Sequence, residues 1–69
     1  MDKYTVGQAR RLANITVRGM AKELGLSANA YHNKEKGRSR FYFDEAMKFS
    51  AVVNIPMDRI FFESSVSQN

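Results

Sequence analysis

The sequence predicts an all-α fold, in which five short helices form a single compact domain. The chain has 69 residues, enough for one small hydrophobic core. Its apolar residues recur at helical spacing. Residues that typically end or interrupt helices recur at short intervals. These predicted breaks between helices are Asn14, Gly25, Gly37, Asn54 and Pro56. We therefore expect one domain over residues 1–69, with its core within residues 5–62 and a flexible tail over residues 63–69.

Two threonines mark the beginnings of the first two helices. Thr5 can cap a helix whose inner stripe consists of Val6, Ala9, Leu12 and Ala13. Thr16 can cap a second helix whose inner stripe consists of Val17, Met20, Ala21 and Leu24. Gly25 ends this second helix, because the residue just past a helix often adopts a left-handed conformation that glycine enters without steric penalty.

The remaining helices are also bounded by capping residues, glycine and proline. Ser27 is the expected N-cap of the third helix, which Gly37 ends. The fourth helix has an expected buried stripe of Phe43, Ala46, Met47, Phe49, Ser50 and Val53. Pro56 suits the first position of a fifth helix, where its missing N–H costs nothing. From that helix, Met57, Ile60 and Phe61 are expected to face the core.

The positive charge of the chain is concentrated in its first forty residues. Residues 1–40 contain nine basic and three acidic residues, a net charge of +6, whereas residues 41–69 contain two basic and four acidic residues, a net charge of −2. A basic surface attracts polyanions and raises their local concentration. The alternative is that these charges form an ordinary solvated surface.

The composition argues against several classes of protein. The chain has no cysteine, which fits a reducing compartment, and we expect a cytoplasmic location. It has no apolar run near the roughly 20 residues that span a bilayer and no signal-peptide pattern, so we expect no membrane association. One histidine, scattered carboxylates and the lack of a glycine-rich phosphate loop indicate that it is not an enzyme and binds neither metal nor cofactor.

The segment around Gly25 meets the steric requirements of a tight corner between two helices. Ala21, one turn before the glycine, is small enough to let the next helix approach. Gly25 supplies the turn, Leu26 fills it, and Tyr31 packs back from the following helix. This pattern is typical of the helix-turn-helix motif, in which the second helix of the pair enters the DNA major groove.

At these residues the chain resembles the Cro and cI-like helix-turn-helix proteins, the small phage repressors and bacterial relatives often called the XRE family. The resemblance covers roughly residues 5–62 and rests on ITVRGMAKELGLSANAYHNKEKGR and FDEAMKFSAVVNIPMDRIFF. It implies a lambda-repressor-like domain of five helices, with the motif at the second and third. It also implies a structural pair between Arg10 of the first helix and Glu35 at the end of the third.

The chain departs from the family pattern at four positions. Val17 stands where the second helix usually begins with a glutamine that contacts phosphate, and Tyr42 replaces the usual serine or threonine cap of the fourth helix. Gly19 lies inside the second helix, where glycine costs about 1 kcal/mol relative to alanine. Lys34 occupies a usually apolar position, so its stem is expected to lie on the core while its ammonium reaches solvent or phosphate.

The outward face of the third helix is the predicted DNA-reading surface. Asn29, His32, Asn33 and Lys36 recur at helical spacing, opposite Ala30 and Tyr31. Asparagine amides can bond bidentately to adenine, and histidine can donate to guanine or phosphate. Base contacts are expected from Ala28, Asn29, His32 and Asn33. Phosphate contacts are expected from Arg18, Lys22, Lys34, Lys36, Arg38 and Arg40. The alternative is a solvated face without a ligand.

The predicted function is that of a transcriptional regulator of the phage Cro or repressor type. It would bind a palindromic double-stranded DNA operator as a homodimer, since one small module reads too few base pairs. Met57, Phe61 and Phe62 are the expected dimer interface, with Phe62 facing solvent in the monomer. The alternative is a protein-binding modulator, an antirepressor or antitoxin that uses the same fold to engage a repressor or toxin.

Overall fold

Four α-helices and a closing pair of short strands make up the fold in the computed structural model, which describes residues 3–62. In chain order the elements are β1 (Tyr4–Thr5), α1 (Val6–Leu12), α2 (Val17–Glu23), α3 (Ala28–Glu35), α4 (Phe43–Val53), a 3₁₀ turn (Met57–Arg59) and β2 (Ile60–Phe61). The mostly helical character is confirmed, but the all-α class and the fifth helix are not. The predicted tail over residues 63–69 lies outside the described residues. No helix of the described part is both long and apolar enough to cross a bilayer.

The strands β1 and β2 join the two ends of the described chain. They pair in parallel, with Tyr4 opposite Ile60 and Thr5 opposite Phe61. Val6 at the start of α1 and Ile60 in β2 are both buried. The strand pair therefore places β2 against α1 and closes one side of the core.

The first three helices begin at the predicted caps. The side-chain oxygens of Thr5, Thr16 and Ser27 each accept a hydrogen bond of 3.0–3.1 Å from the backbone N–H three residues later. At Thr16 the donor is Gly19, and a Cβ at Gly19 would lie 3.2 Å from the Thr16 hydroxyl oxygen. Glycine at this position keeps the cap oxygen uncrowded, which offsets part of its cost inside a helix.

Each α-helix is followed at its C-terminal end by a residue with a left-handed backbone. These residues are Asn14, Gly25, Gly37 and Asn54, with φ between 60° and 80°. After α2, the Gly25 N–H donates to the Lys22 carbonyl at 3.1 Å and the Leu26 N–H donates to the Ala21 carbonyl at 2.8 Å. These two bonds satisfy carbonyls that the helix leaves unpaired and reverse the chain within two residues. The predicted breaks at these four residues are confirmed.

The core is built around Phe41, which lies in the loop between α3 and α4. Its ring centroid is 5.0 Å from that of Phe62, 5.9 Å from Phe49 and 6.5 Å from Tyr31. The buried apolar residues are Val6, Ala9, Met20, Ala21, Tyr31, Phe41, Ala46, Phe49, Val53 and Ile60. Phe41 thus links α3, α4 and the segment that contains Phe62.

The prediction for the segment after Pro56 is wrong. A single 3₁₀ turn leads into β2, and successive side chains of an extended strand point to opposite faces. Ile60 is therefore buried, Phe61 is 54% exposed, and Phe62 returns to the core beside Phe41. Phe62 does not face solvent, and Met57 is partly buried against the core. Met57, Phe61 and Phe62 thus do not share one exposed face, as the predicted dimer interface requires.

Besides Phe61, three residues predicted to lie on buried stripes are exposed. They are Leu12 (62%), Phe43 (43%) and Met47 (51%). In α4 the buried residues are Ala46, Phe49 and Val53. Phe43 and Met47 lie on a side of α4 next to these buried residues. The apolar residues of α4 therefore cover a wide part of its circumference, and such a wide pattern does not indicate which side faces the core. The exposed side of α4 therefore carries large apolar side chains.

Candidate nucleic-acid interface

The helices α2 and α3 pack against each other through a tight corner at Gly25. Ala21 is 2% exposed at the contact, Tyr31 is fully buried, and Leu26 is partly buried against the core. No atom outside its chain neighbours lies within 4 Å of the position that a Cβ of Gly25 would occupy, and its φ is +72°. Glycine is therefore needed here for its backbone conformation rather than for space. Ala21, Gly25 and Tyr31 have the geometry that their predicted structural roles require.

Arg10 and Glu35 form the ion pair that the family resemblance implies. The Arg10 Nε donates to Glu35 Oε2 at 2.7 Å, and both side chains are about nine-tenths buried. The Tyr31 hydroxyl donates to the same carboxylate oxygen at 2.8 Å, and the Arg10 Nη1 donates to the Ile15 carbonyl at 2.8 Å. This network ties α1, the loop after it and the end of α3 together, so it sets the orientation of α3.

The network also changes the acid–base properties of its members. Burial opposes ionisation of Glu35, but hydrogen bonds from Arg10 and Tyr31 outweigh it, so the pKa of Glu35 is lowered. The hydrogen bond with Glu35 raises the pKa of Arg10 despite burial. Burial first, and then the hydrogen bond to Glu35, raise the pKa of Tyr31. At neutral pH the carboxylate and guanidinium are therefore charged and the phenol is neutral.

The polar residues of α3 lie on the side opposite its buried residues. Tyr31 and Lys34 form the inner side of the helix. Asn29 is exposed on the outer side, and Ala28, His32 and Asn33 are partly buried there. Within residues 3–62, the side chains of Asn29, His32 and Asn33 make no hydrogen bond or ion pair. Their hydrogen-bonding groups are therefore available to a ligand.

Five basic residues on and around the two helices are exposed. They are Arg18 and Lys22 on α2, Lys36 at the end of α3, and Arg38 and Arg40 in the following loop. The ion pairs of the described residues use Arg10 and Lys34, not these five. Arg18 and Lys22 stand one helical turn apart, so they share a face of α2. These cations are free to meet an anionic partner.

Lys34 does not belong to this exposed basic set, although the predicted phosphate contact from it requires an accessible ammonium. The residue is 8% exposed. Its Nζ donates to the Arg40 carbonyl at 2.7 Å, lies 3.0 Å from Glu45 Oε1 and is 4.9 Å from the ring centroid of Tyr42. The chain after Gly37 turns back across α3, which brings these partners to the ammonium. Lys34 instead ties α3 to the loop and to the start of α4.

Glu45 and Tyr42 complete this connection, and the sequence interpretation gave Glu45 no role. The Glu45 carboxylate accepts a hydrogen bond of 3.0 Å from the Tyr42 backbone N–H, as the acidic residue of a capping box does. The same oxygen meets Lys34. A glutamate three residues after a helix start is the sequence signal for this contact, although Tyr42 lacks the usual capping hydroxyl. The loop that carries Arg38 and Arg40 is thereby anchored at both ends.

A shallow cleft of about 180 Å³ lies beside the Arg10–Glu35 pair. It is lined by Thr5, Gly7, Arg11, Glu35 and Lys36. The Glu35 carboxylate in it is already neutralised by Arg10. Across the described residues, histidine, aspartate and glutamate side chains form no cluster of three that could hold a metal ion. The exposed polar face of α3 with its basic surroundings is the more distinctive surface.

Comparison of the chain with protein-family models, with curated proteins and with solved structures gives no match. The case for a function therefore rests on the residues and geometry of the chain itself.

Proposed function

We propose that the chain is a sequence-specific DNA-binding transcriptional regulator, in which α2 and α3 form a helix-turn-helix and α3 enters the major groove. The outer face of α3 carries the proposal. Asn29, His32 and Asn33 present hydrogen-bonding groups there that no residue of the described chain uses. Asparagine is suited to pair bidentately with adenine, and histidine can donate to guanine. Ala28, at the start of the same helix, can contact a thymine methyl group.

The exposed cations support the same placement of DNA. A duplex with α3 in its groove carries phosphates on both sides of the helix. Arg18 and Lys22 on α2 can meet one strand, and Lys36, Arg38 and Arg40 can meet the other. These contacts would position the protein without reading sequence. They would also make affinity fall with salt, because each neutralised phosphate releases counterions.

The active form in this proposal is a homodimer on a palindromic operator. A single module of this size contacts few base pairs, and two modules related by a two-fold axis read half-sites one helical turn, about 34 Å, apart. The structure describes one copy, and its core leaves apolar residues on the surface. Repression or activation would depend on where the operator lies relative to a promoter.

The direct test is selection of bound sequences from random double-stranded DNA, followed by substitution in α3. We expect enrichment of a palindrome, and we expect Asn29→Ala and Asn33→Ala each to weaken binding to it by about 1–3 kcal/mol. Affinity for random DNA should remain nearly unchanged, because amide contacts to bases add little to non-specific binding. Lack of enrichment, or an equal loss on both kinds of DNA, would contradict base reading by α3.

A second candidate is a modulator that engages a repressor or a toxin through an apolar surface. The observation that favours it is the 54% exposure of Phe61 on β2, an element that carries none of the basic residues of α2 and α3. Under this alternative, Phe61→Ser abolishes activity while Arg38→Ala does not. Under the DNA-binding proposal the effects are reversed, and a reporter assay with both variants separates the two.

A further inference from the structure

We propose that two copies of the chain associate through the exposed side of α4, with the two helices antiparallel about a two-fold axis near Met47. This inference deepens the proposed function and rests on it for the need for a dimer. It replaces the interface predicted at Met57, Phe61 and Phe62, which do not form one exposed face. The partner is a second copy of this chain, and the surface is the side of α4 that its own core does not use.

An apolar stripe runs along the exposed side of α4. Phe43 is 43% exposed, Met47 is 51% exposed, and Ala51 is also exposed. They stand four residues apart, so they lie next to one another along one side of the helix. The buried residues Ala46, Phe49 and Val53 lie on the other side. The stripe therefore contributes little to the core and is available to a partner.

The sizes of these side chains are complementary under a two-fold axis. In an antiparallel pair centred on Met47, positions at equal distances on either side of the centre meet. Phe43 then lies opposite Ala51 of the second copy, and Ala51 lies opposite the second copy's Phe43. A large side chain thus meets a small one at both ends, which lets the helices approach and exclude water.

The charges beside the stripe are complementary in the same arrangement. Asp44 and Lys48 are exposed, stand one turn apart, and take part in no ion pair within residues 3–62. Both lie on the same flank of the stripe. In an antiparallel pair centred on Met47, a two-fold axis places this flank of both copies on the same side of the interface. Each Asp44 then lies two residues, about 3 Å along the helix axis, from Lys48 of the other copy. The two Lys48 residues are equally near each other, so two attractive pairs act against one repulsive pair. In a parallel two-fold pair the two flanks lie on opposite sides of the interface, and Asp44 does not meet Lys48 of the other copy. The acid–base spacing therefore selects the antiparallel arrangement.

The other exposed apolar residues lack these properties. Leu12 on α1 and Phe61 on β2 are each more exposed than Met47, but they belong to different elements. Neither has an apolar neighbour one turn away together with flanking charges of opposite sign. Single exposed apolar residues are ordinary on protein surfaces. The combination of stripe, size pattern and charge pattern is what distinguishes α4.

The test uses charge reversal and sedimentation velocity of the full chain at low salt. We expect the wild-type chain to dimerise, and Asp44→Lys and Lys48→Asp each to raise the dimer dissociation constant at least about tenfold by opposing like charges. An equimolar mixture of the two variants should recover the dimer, since each unlike pair is restored between different chains. Glu23→Lys, a matched reversal on α2, should dimerise like the wild type. A monomeric wild type, unaffected single variants or failure of the mixture to recover each overturns the proposal.

A second pair of variants tests the apolar stripe. Met47→Glu should give a folded monomer, whereas Leu12→Glu, at a more exposed apolar residue, should leave the dimer intact. On DNA, Met47→Glu should keep half-site affinity and lose the added affinity for the palindrome. If Met47→Glu stays dimeric, the proposed α4 interface is wrong, whether or not the chain binds DNA. If the wild type dimerises through α4 but selects no DNA sequence, the interface holds and the proposed function fails.

Discussion

The guanidinium of Arg10 and the carboxylate of Glu35, 25 positions apart in the chain, meet at 2.7 Å with both side chains about nine-tenths buried. The same guanidinium also binds the Ile15 carbonyl, and the same carboxylate also accepts from Tyr31. One residue of α1 thus holds the loop before α2 and the end of α3. The angle at which α3 is presented depends on this pair.

Removing Arg10 should destabilise the domain severely. Arg10→Ala leaves the Glu35 carboxylate buried without its cation, and we expect a loss of about 3–5 kcal/mol in the free energy of unfolding. That is a large share of the stability of a small domain. Arg11→Ala, at the exposed neighbouring arginine, is the matched control and should change little. Urea unfolding measures both variants.

The orphaned charge, rather than lost packing, is the expected cause of that destabilisation. The double variant Arg10→Met/Glu35→Met leaves no buried charge, so it should be more stable than Arg10→Met alone. A double variant that is equally or less stable would show that the unpaired Glu35 carboxylate is not the cause of the destabilisation.

Acid should unfold the protein partly through Glu35. Its pKa is lower in the folded state than the ordinary value of 4.5, so its contribution is fully present above that value and is lost as the pH falls through the folded-state pKa. The fall in stability below about pH 4.5 should therefore be shallower in Glu35→Gln, which starts from lower stability at neutral pH. Unfolding free energies of both proteins from pH 7 to pH 3 give the comparison. Parallel curves would exclude Glu35 as a contributor.

Lys34 and the two loop arginines should affect DNA binding in different ways. Lys34→Met leaves the Arg40 carbonyl and the Glu45 carboxylate without their partner, so we expect a stability loss of about 1–3 kcal/mol. DNA binding should weaken, but the salt slope, the change in log binding constant with log salt concentration, should stay the same. Arg38→Ala and Arg40→Ala should preserve stability and each reduce the magnitude of the slope by about one. Arg59→Ala, an exposed cation beside β2, is the control. A smaller salt slope in Lys34→Met would indicate that Lys34 does contact a DNA phosphate.

Phe62 and Phe61 should differ in their contribution to folding. Phe62→Ala removes a ring that packs against Phe41 and Phe49, and we expect a loss of about 2–4 kcal/mol. Phe61→Ala, at a ring that is 54% exposed, should cost less than about 1 kcal/mol. Thermal unfolding under identical conditions measures the difference. Equal losses would contradict the arrangement in which Phe61 is exposed and Phe62 packs against the core.

The features predicted correctly from the sequence depend on local chemistry. Hydroxyl caps at Thr5, Thr16 and Ser27 act on N–H groups three residues away, and Gly25 accepts its backbone conformation without help from the rest of the fold. The outward side of α3 follows from the buried position of Tyr31 through helical periodicity. Such signals are contained within one or two turns of the chain.

The features predicted incorrectly depend on distant partners. The spacing of Met57, Ile60 and Phe61 fits a helix, but β1 offers a pairing partner that favours an extended chain at residues 60–61. Lys34 is buried because Arg40 and Glu45 return to it. A short apolar run or a lone lysine contains no information about such partners, so these errors are inherent in single-sequence patterns.

The parallel pairing of β1 with β2 affects the order in which parts of the protein can fold during synthesis. Tyr4 and Ile60 are separated by most of the chain, so this contact has a high loop-closure cost and depends on residues that are translated late. The corner between α2 and α3 needs only residues that emerge earlier. Until Phe62 emerges, a nascent chain carries the Phe41 ring without one of its covering aromatics. A truncated chain that ends between residues 53 and 60 would therefore contain the corner between α2 and α3 while its core stays open, a species prone to capture by chaperones.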